Sequence, residues 1–279
     1  MEILEKNIKR KKQIFQDYCI KNQSWIETFI LPFIQKKSKK ESILIEFRNL
    51  NHLDFIIRNC IRVLGNEWSH TIICGTENIK LIENIVQKIN RPINIIKYNF
   101  KNISRLEYSL LLLNSDFYKQ FHGEHLLFYQ EDTIIFKNIS NKFFTFDFIG
   151  APVPNKKNLF NGGFSLRNKN KMIEICKQNY DKIIDKFQKS RLFLEKKEKI
   201  LKKKYINFKI NPKFKFLYFI EKFLLEDILI CKKCTKLPTF SESRQFSVEK
   251  YNFKNPVGGH QFWYAIDNIE LWLDINLKQ

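Results

Sequence analysis

No apolar run in this sequence approaches the roughly 20 residues that a helical membrane span needs, and Met1 to Lys12 is charged throughout, unlike a secretory leader. Paired cysteines are lacking too. Cys19, Cys60, Cys74, Cys176, Cys231 and Cys234 follow no disulfide-framework spacing. Cys231-Lys-Lys-Cys234 has no second ligand pair at the spacing a structural zinc site wants, so it reads as free thiols on a helix. These absences argue against a disulfide-stapled secreted module and a zinc module. A reducing, cytosolic setting is expected, so the three Asn-x-Ser sequons carry no weight. Acids are also scarce: 29 Asp and Glu stand against 49 Lys and Arg, a net charge of +20. Such a chain calls for an anionic partner, whether nucleic acid, an anionic membrane surface or nucleotide-like substrates, and charge alone does not choose among them.

The 279 residues, 44% hydrophobic, suffice for a substantial core. Residues 1–40 read as a helical N-terminal extension, with a second helical segment carrying Trp25, Phe29 and Phe33 and ending near Pro32. Strands are expected at Ser42–Phe47, His70–Cys74 and Ile93–Lys97, alternating with helices at His52–Leu64 and Glu77–Ile89. Ser104 caps a further helix through Leu113, and Phe144–Ile149 reads as another strand. Alternation of this kind implies an α/β fold with a mostly parallel central sheet covered on both faces, which binds ligands at its carboxyl edge. Between residues 186 and 222 the composition shifts to thirteen Lys/Arg against three Glu, with aromatics interleaved. This stretch is expected to be a helical insertion, read as a solvated face or an anionic-membrane contact, with nucleic acid the least favoured partner.

The central segment is His125–Phe136, HLLFYQEDTIIF, an apolar run cut by Gln130-Glu131-Asp132 before it resumes. Acids at the carboxyl end of a buried strand are placed to hold a divalent cation on a pyrophosphate, or else form an ordinary solvated turn. Asn161-Gly162-Gly163 precedes another strand, and adjacent glycines there suggest close backbone approach. Glu226-Asp227 opens a short helix, and His260 follows a second Gly-Gly pair.

The order of these landmarks resembles that of the GT-A glycosyltransferases, which move a sugar from a nucleotide-sugar donor. Phe47-Arg48-Asn49 is similar to the first-strand nucleotide motif of the β-1,4-galactosyltransferases, though Glu46 stands where those enzymes have proline. Glu131-Asp132 occupies the place of the metal-binding Asp-x-Asp; because the motif here is Gln-Glu-Asp, only Asp132 carries over. More closely, Tyr-Gln-x-Asp-Thr, Asp-Phe-Ile-Gly-Ala-Pro, Asn-Gly-Gly-Phe-Ser-Leu-Arg, Glu-Asp and Phe-Ser-Val-Glu, in that order over residues 43–265, resemble the DUF5672 family. The resemblance implies one GT-A-like, Rossmann-like domain over 1–279, with a mixed, mostly parallel sheet, a catalytic core at 43–265 and the basic insertion at 186–222.

It further implies a uridine nucleotide sugar as donor and a glycan or other hydroxyl as acceptor. Phe47, Arg48, Asn49, Asn161, Gly162, Gly163 and Arg167 would line the donor site. Asp132 and His260 would hold Mn2+ or Mg2+. Asp227 would be the base of an inverting displacement, with Glu226 orienting the acceptor. Arg48 and Arg167 read equally as phosphate neutralisers or as ion-pair partners. Two other outcomes stay open: a retaining transferase, and a non-catalytic basic protein of the same fold that contacts membrane or nucleic acid.

Overall fold

The computed structural model describes residues 2–182 and 225–278, so the lysine-rich stretch at 186–222 lies outside the described residues. Two helices open the chain, α1 (Glu2–Lys21) and α2 (Gln23–Glu27). The second helical segment is shorter than expected: residues 28–39 have no helix, and backbone there bonds to neighbouring loops instead. The alternating unit follows as β1 (Lys40–Ile45), α3 (Leu53–Leu64), β2 (Trp68–Cys74), α4 (Ile79–Ile89) and β3 (Asn94–Lys97). Next, α5 (Arg105–Leu112) starts at a capping box formed by Ser104 and Glu107, and α6 (Ser115–Lys119) leads into β4 (His125–Tyr129).

The expected mixed, mostly parallel central sheet flanked by helices is observed. Its order is β3-β2-β1-β4-β7-β6, with β1 to β4 mutually parallel and β7 (Phe164–Asn168) antiparallel to both β4 and β6 (Phe148–Ile149). Alternate residues feed two cores. Ile43, Ile45, Ile73, Leu126 and Phe128 pack with α5, α6, α7 (Lys169–Asn179) and the helix Glu226–Cys231. Leu44, Ile72, Leu127 and Tyr129 pack with α1, α3, α4 and the C-terminal helix Ile269–Leu277. Strand order reverses where β4 returns beside β1, which makes the carboxyl ends of these two strands the switch point at which sheets of this kind bind ligands.

Two strand expectations change. Thr133–Ile135 does not resume the central strand; as β5 it joins a second sheet, β5-β9-β8, with β9 (Gly258–His260) and β8 (Ser247–Val248). Phe144–Ile149 forms a strand only at Phe148 and Ile149. Asp147 is instead held by the backbone N–H groups of Thr235 and Lys236, both at 2.8 Å, and by the Thr235 hydroxyl at 3.0 Å. All six cysteines are free thiols. No helix among the described residues is long and apolar enough to cross a membrane.

Candidate active site

Strand register assembles the site. In the antiparallel β4/β7 pair Tyr129 faces Phe164, so the Asn161-Gly162-Gly163 loop lies beside Gln130-Glu131-Asp132. In the β5/β9 pair Thr133 faces His260, which sets the imidazole next to Asp132. Residues more than 100 positions apart thus meet at the carboxyl end of β4.

The two glycines are required by close approach. A Cβ on Gly163 would lie 2.2 Å from Nε2 of His260, and a Cβ on Gly162 would lie 2.8 Å from Oε1 of Glu226 and 3.2 Å from Cβ of Asp227. Asn161 shapes the turn by accepting the Gly163 N–H at 2.7 Å. The loop therefore touches the His260 side of the site with one residue and the Glu226-Asp227 side with the next.

On the first side, Asp132 and His260 are both buried, with Oδ1 of Asp132 3.3 Å from Nε2 of His260. The other carboxylate oxygen accepts from Gln261 at 3.0 Å, and Gln130 Oε1 lies 3.1 Å from the same imidazole nitrogen. Burial alone would lower the His260 pKa, but the facing carboxylates of Asp132 and Glu249 outweigh it and hold the imidazole up at about 10. Asp132 is held well below the usual carboxylate range: burial pushes it up, and His260, Lys12 and Gln261 outweigh that.

Oδ1 of Asp132 is buried without a hydrogen-bond partner. Together with Nε2 of His260 and Oε1 of Gln130 it makes a hard oxygen/nitrogen set turned to one place, which fits Mn2+ or Mg2+ completed by water and phosphate oxygens. A cation there would displace the imidazole proton. Among the described residues no group of three or more His, Cys, Asp or Glu is arranged to hold a metal ion.

Glu131 points away from that set. Its carboxylate accepts from Lys12 of α1 at 2.5 Å and from Arg48 at 3.3 Å, and it lies 3.0 Å from His52 Nε2. Burial raises its pKa, and the bonds to His52 and Lys12 bring it below the ordinary value. Arg48 also forms a two-pronged pair with Glu46 at 2.8 and 2.7 Å, so of its two readings the ion pair is the one observed. Phe47 is only 3% exposed and packs against Phe100, giving its side chain to the core. Asn49 is exposed, donating to the Glu77 carbonyl at 3.3 Å.

On the second side, Arg167 is fully buried and its guanidinium is consumed internally. It donates to Ser165 at 3.0 Å, Tyr118 at 3.1 Å, and the Gly162 carbonyl and Glu226 at 3.3 Å each. That placement orients the loop and Glu226 and gives the fully buried side chain no exposed surface to a phosphate. Glu226 is pushed up to about 7 by burial and by its neighbour Asp227, with Arg167 opposing. Asp227, less deeply buried, accepts the N–H of Gly162 at 3.1 Å and of Ile228 at 2.8 Å. Burial raises its pKa and those two N–H groups oppose.

Sequence reasoning missed several participants. Gln130 and Glu249 stand inside motifs already quoted, the first beside the acids and the second ending Phe-Ser-Val-Glu. Tyr108, whose hydroxyl engages Gln130 and senses Glu226, sits on α5 and carries no local signal. Lys12 has none either, 119 positions from Glu131.

The family described as "Protein of unknown function (DUF5672)" matches residues 92–260, more than half of the chain. The chain belongs to the DUF5672 family. No curated protein matches this DUF5672 chain. Among solved structures, it is similar to the mannosyltransferase PcManGT from Pyrobaculum calidifontis in complex with GDP-Man and Mn2+, at 6% identity and a TM-score of 0.35, covering 60% of this chain and 55% of that one. It is also similar to the apo form of the glycosyltransferase GlyE of Streptococcus pneumoniae TIGR4, at 12% identity and a TM-score of 0.44, covering 86% of this chain and 60% of that one. A second GlyE structure, at 12% identity, gives a TM-score of 0.37. The chain spans less than two thirds of the length of each.

Proposed function

We propose that this protein is a GT-A-type glycosyltransferase that moves a sugar from a nucleotide sugar, a uridine nucleotide by preference, to an acceptor hydroxyl with inversion. The observation that supports the reading is the Asn161-Gly162-Gly163 loop at the carboxyl end of β4: Gly163 lies against His260, which neighbours Asp132 and Gln130, and Gly162 lies against Glu226 and Asp227. The donor's diphosphate lies against the first set and the acceptor against the second. Asn49, exposed beyond β1, is the first-strand residue open to the nucleotide.

In the step itself, the acceptor oxygen bonds to the anomeric carbon as the bond from that carbon to the diphosphate oxygen breaks, its electron pair leaving with the diphosphate. The acceptor proton passes to Asp227, whose carboxylate is fixed by the Gly162 and Ile228 N–H groups and whose basicity burial has raised. Glu226, tied to Arg167, holds the loop against Asp227 and does not itself take the proton. Mn2+ or Mg2+ at Asp132 and His260 would supply charge neutralisation for the leaving diphosphate. Lys12, Arg48 and His52 keep Glu131 drawn away from that position.

The test is a panel of nucleotide sugars, each measured for thermal stabilisation of the protein with and without Mn2+, followed by NMR of the transfer product. A manganese-dependent shift with one donor and a product of inverted anomeric configuration is expected. Stabilisation by none of the donors would remove the reading, and a retained configuration would remove the base role of Asp227.

A further inference from the structure

The amino edge of the sheet, opposite the candidate site, carries a feature the proposed reaction does not use. Between α2 and β1, residues 28–39 run without helix or strand, yet they are firmly held. Arg91 donates to the carbonyls of Pro32 at 2.8 Å and Leu31 at 2.6 Å, Asn94 donates to Lys36 at 2.9 Å, and the Ser38 hydroxyl bonds the Glu67 carbonyl. Leu31 and Ile34 anchor the segment in the core. Between and beside these anchors the same backbone thrusts Ile30 and Phe33 outward, 94% and 75% exposed. Ile30 and Phe33 are the two most exposed large apolar side chains among the described residues, and their pairing on one braced loop is what a contact surface offers.

What lies beside them selects the partner. Lys36, Lys37 and Lys39 are all exposed and follow Phe33 within six positions. Behind them opens a cleft of about 670 Å³ lined by Lys37, Ser38, Lys39, Lys40, Asn66 and His122, contributed by the loops before β1, β2 and β4. Its one acid is Glu67, paired with Lys40 at 2.5 Å, and Lys39 lies 3.7 Å from Glu124. Lys36 and Lys37 form no ion pair with a described residue. Apolar prongs followed directly by free ammonium groups and a polar cleft match the layering of an anionic bilayer, with acyl chains innermost, then phosphates, then headgroups.

We propose that the amino edge docks on anionic phospholipid bilayers, with Ile30 and Phe33 entering the interfacial zone and Lys36, Lys37 and Lys39 meeting lipid phosphates. The candidate site, at the opposite edge, then faces the aqueous side. This proposal stands independently of the proposed reaction.

The test is co-sedimentation of the full chain with vesicles of phosphatidylcholine alone and of equal parts phosphatidylcholine and phosphatidylserine, across a salt series. Because residues 186–222 are also basic, the loop's share is read from two double variants: Ile30→Ser with Phe33→Ser, and Lys36→Gln with Lys37→Gln. The intact chain should bind only the mixed vesicles. The prong variant should bind at least about tenfold more weakly at every salt concentration, and the lysine variant should lose affinity mainly at low salt. A Phe33→Trp variant should show a blue-shifted emission on the same vesicles. Three outcomes would each overturn the proposal: prong-variant binding equal to the intact chain, no binding by the intact chain at low salt, or self-association in vesicle-free solution that the prong variant abolishes. The last would assign the surface to a second copy of this chain.

Discussion

The two Glu-Asp pairs of the site are built alike and behave oppositely. In each the Glu turns inward to an arginine, Glu131 to Arg48 and Glu226 to Arg167, while the Asp sits against the Asn161-Gly162-Gly163 loop or the imidazole that the loop carries. Around Glu131-Asp132 stand Lys12, Arg48, His52 and His260, and both carboxyls are held below their ordinary range. Around Glu226-Asp227, among the described residues, Arg167 is bonded to Glu226 and shared among four acceptors, Arg105 acts on Asp227 as well, and both carboxyls are raised. Burial is common to both pairs, so the charges and hydrogen bonds that oppose it decide the sign. One pair is fitted to stay anionic and hold positive charge. The other is made more basic than ordinary carboxyls.

The sharpest way to break this contrast is Asp227→Asn, which keeps shape but cannot accept a proton. Transfer kcat should fall on the order of 10² to 10⁴ while donor affinity, read by calorimetry, stays put. Full activity would make the second pair structural only. Next in size, Arg167→Met should strand Glu226 as a buried carboxyl without a partner and destabilise the fold by about 3–5 kcal/mol in urea unfolding above pH 7, with less loss at low pH where Glu226 is protonated. Asp132→Asn tests the first pair: affinity for a nucleoside diphosphate in the presence of Mn2+ should drop about 10- to 100-fold with thermal unfolding little changed. Unchanged affinity would move the cation elsewhere.

The smallest effect is a pH slope. Glu226 has a folded pKa of about 7 against an ordinary 4.5, so its contribution to stability is complete below about pH 4.5 and is lost as pH rises through about 7. Relative to the parent, Glu226→Gln should therefore gain stability on the order of 1–2 kcal/mol between pH 4.5 and 8, read from paired urea titrations. A flat difference would show that Arg167 fully compensates the charge.

The parts of the fold that sequence exposed were those with local causes. Apolar runs at β1, β2 and β3, amphipathic periodicity in α3 and α4, and the Ser104 cap with Glu107 each act within a few residues, and each was legible. Phe144–Ile149 misled because its alternation is that of a strand, whereas the tie from Asp147 to Thr235 and Lys236, nearly 90 residues away, decides its path. The switch of β5 to the second sheet is likewise settled by a distant partner, His260 opposite Thr133. Within the site, Asp132, His260, the two glycines and Glu226-Asp227 were legible as types and in order, and the structure brings them together. The opposite surroundings of the two acid pairs were not, because Lys12, Arg48 and His52 reach Glu131 only through packing of α1 and α3 on the sheet. Arg167 reads the same in sequence whether it faces a phosphate or lies buried among Tyr118, Phe128 and Glu226.

The matched family span begins at residue 92, whereas Lys12, Arg48 and His52, and the strands β1 and β2, precede it. A fragment trimmed to that span would keep both acid pairs and the glycine loop, yet β4 would turn from a central strand into an open edge along His125 to Tyr129, where it now pairs with Lys40 to Leu44. Glu131 would lose Lys12, Arg48 and His52, its side-chain partners among the described residues. Recognisable ancestry and autonomous folding therefore have different boundaries in this molecule, and any attempt to transplant or express the site must carry the first 91 residues with it.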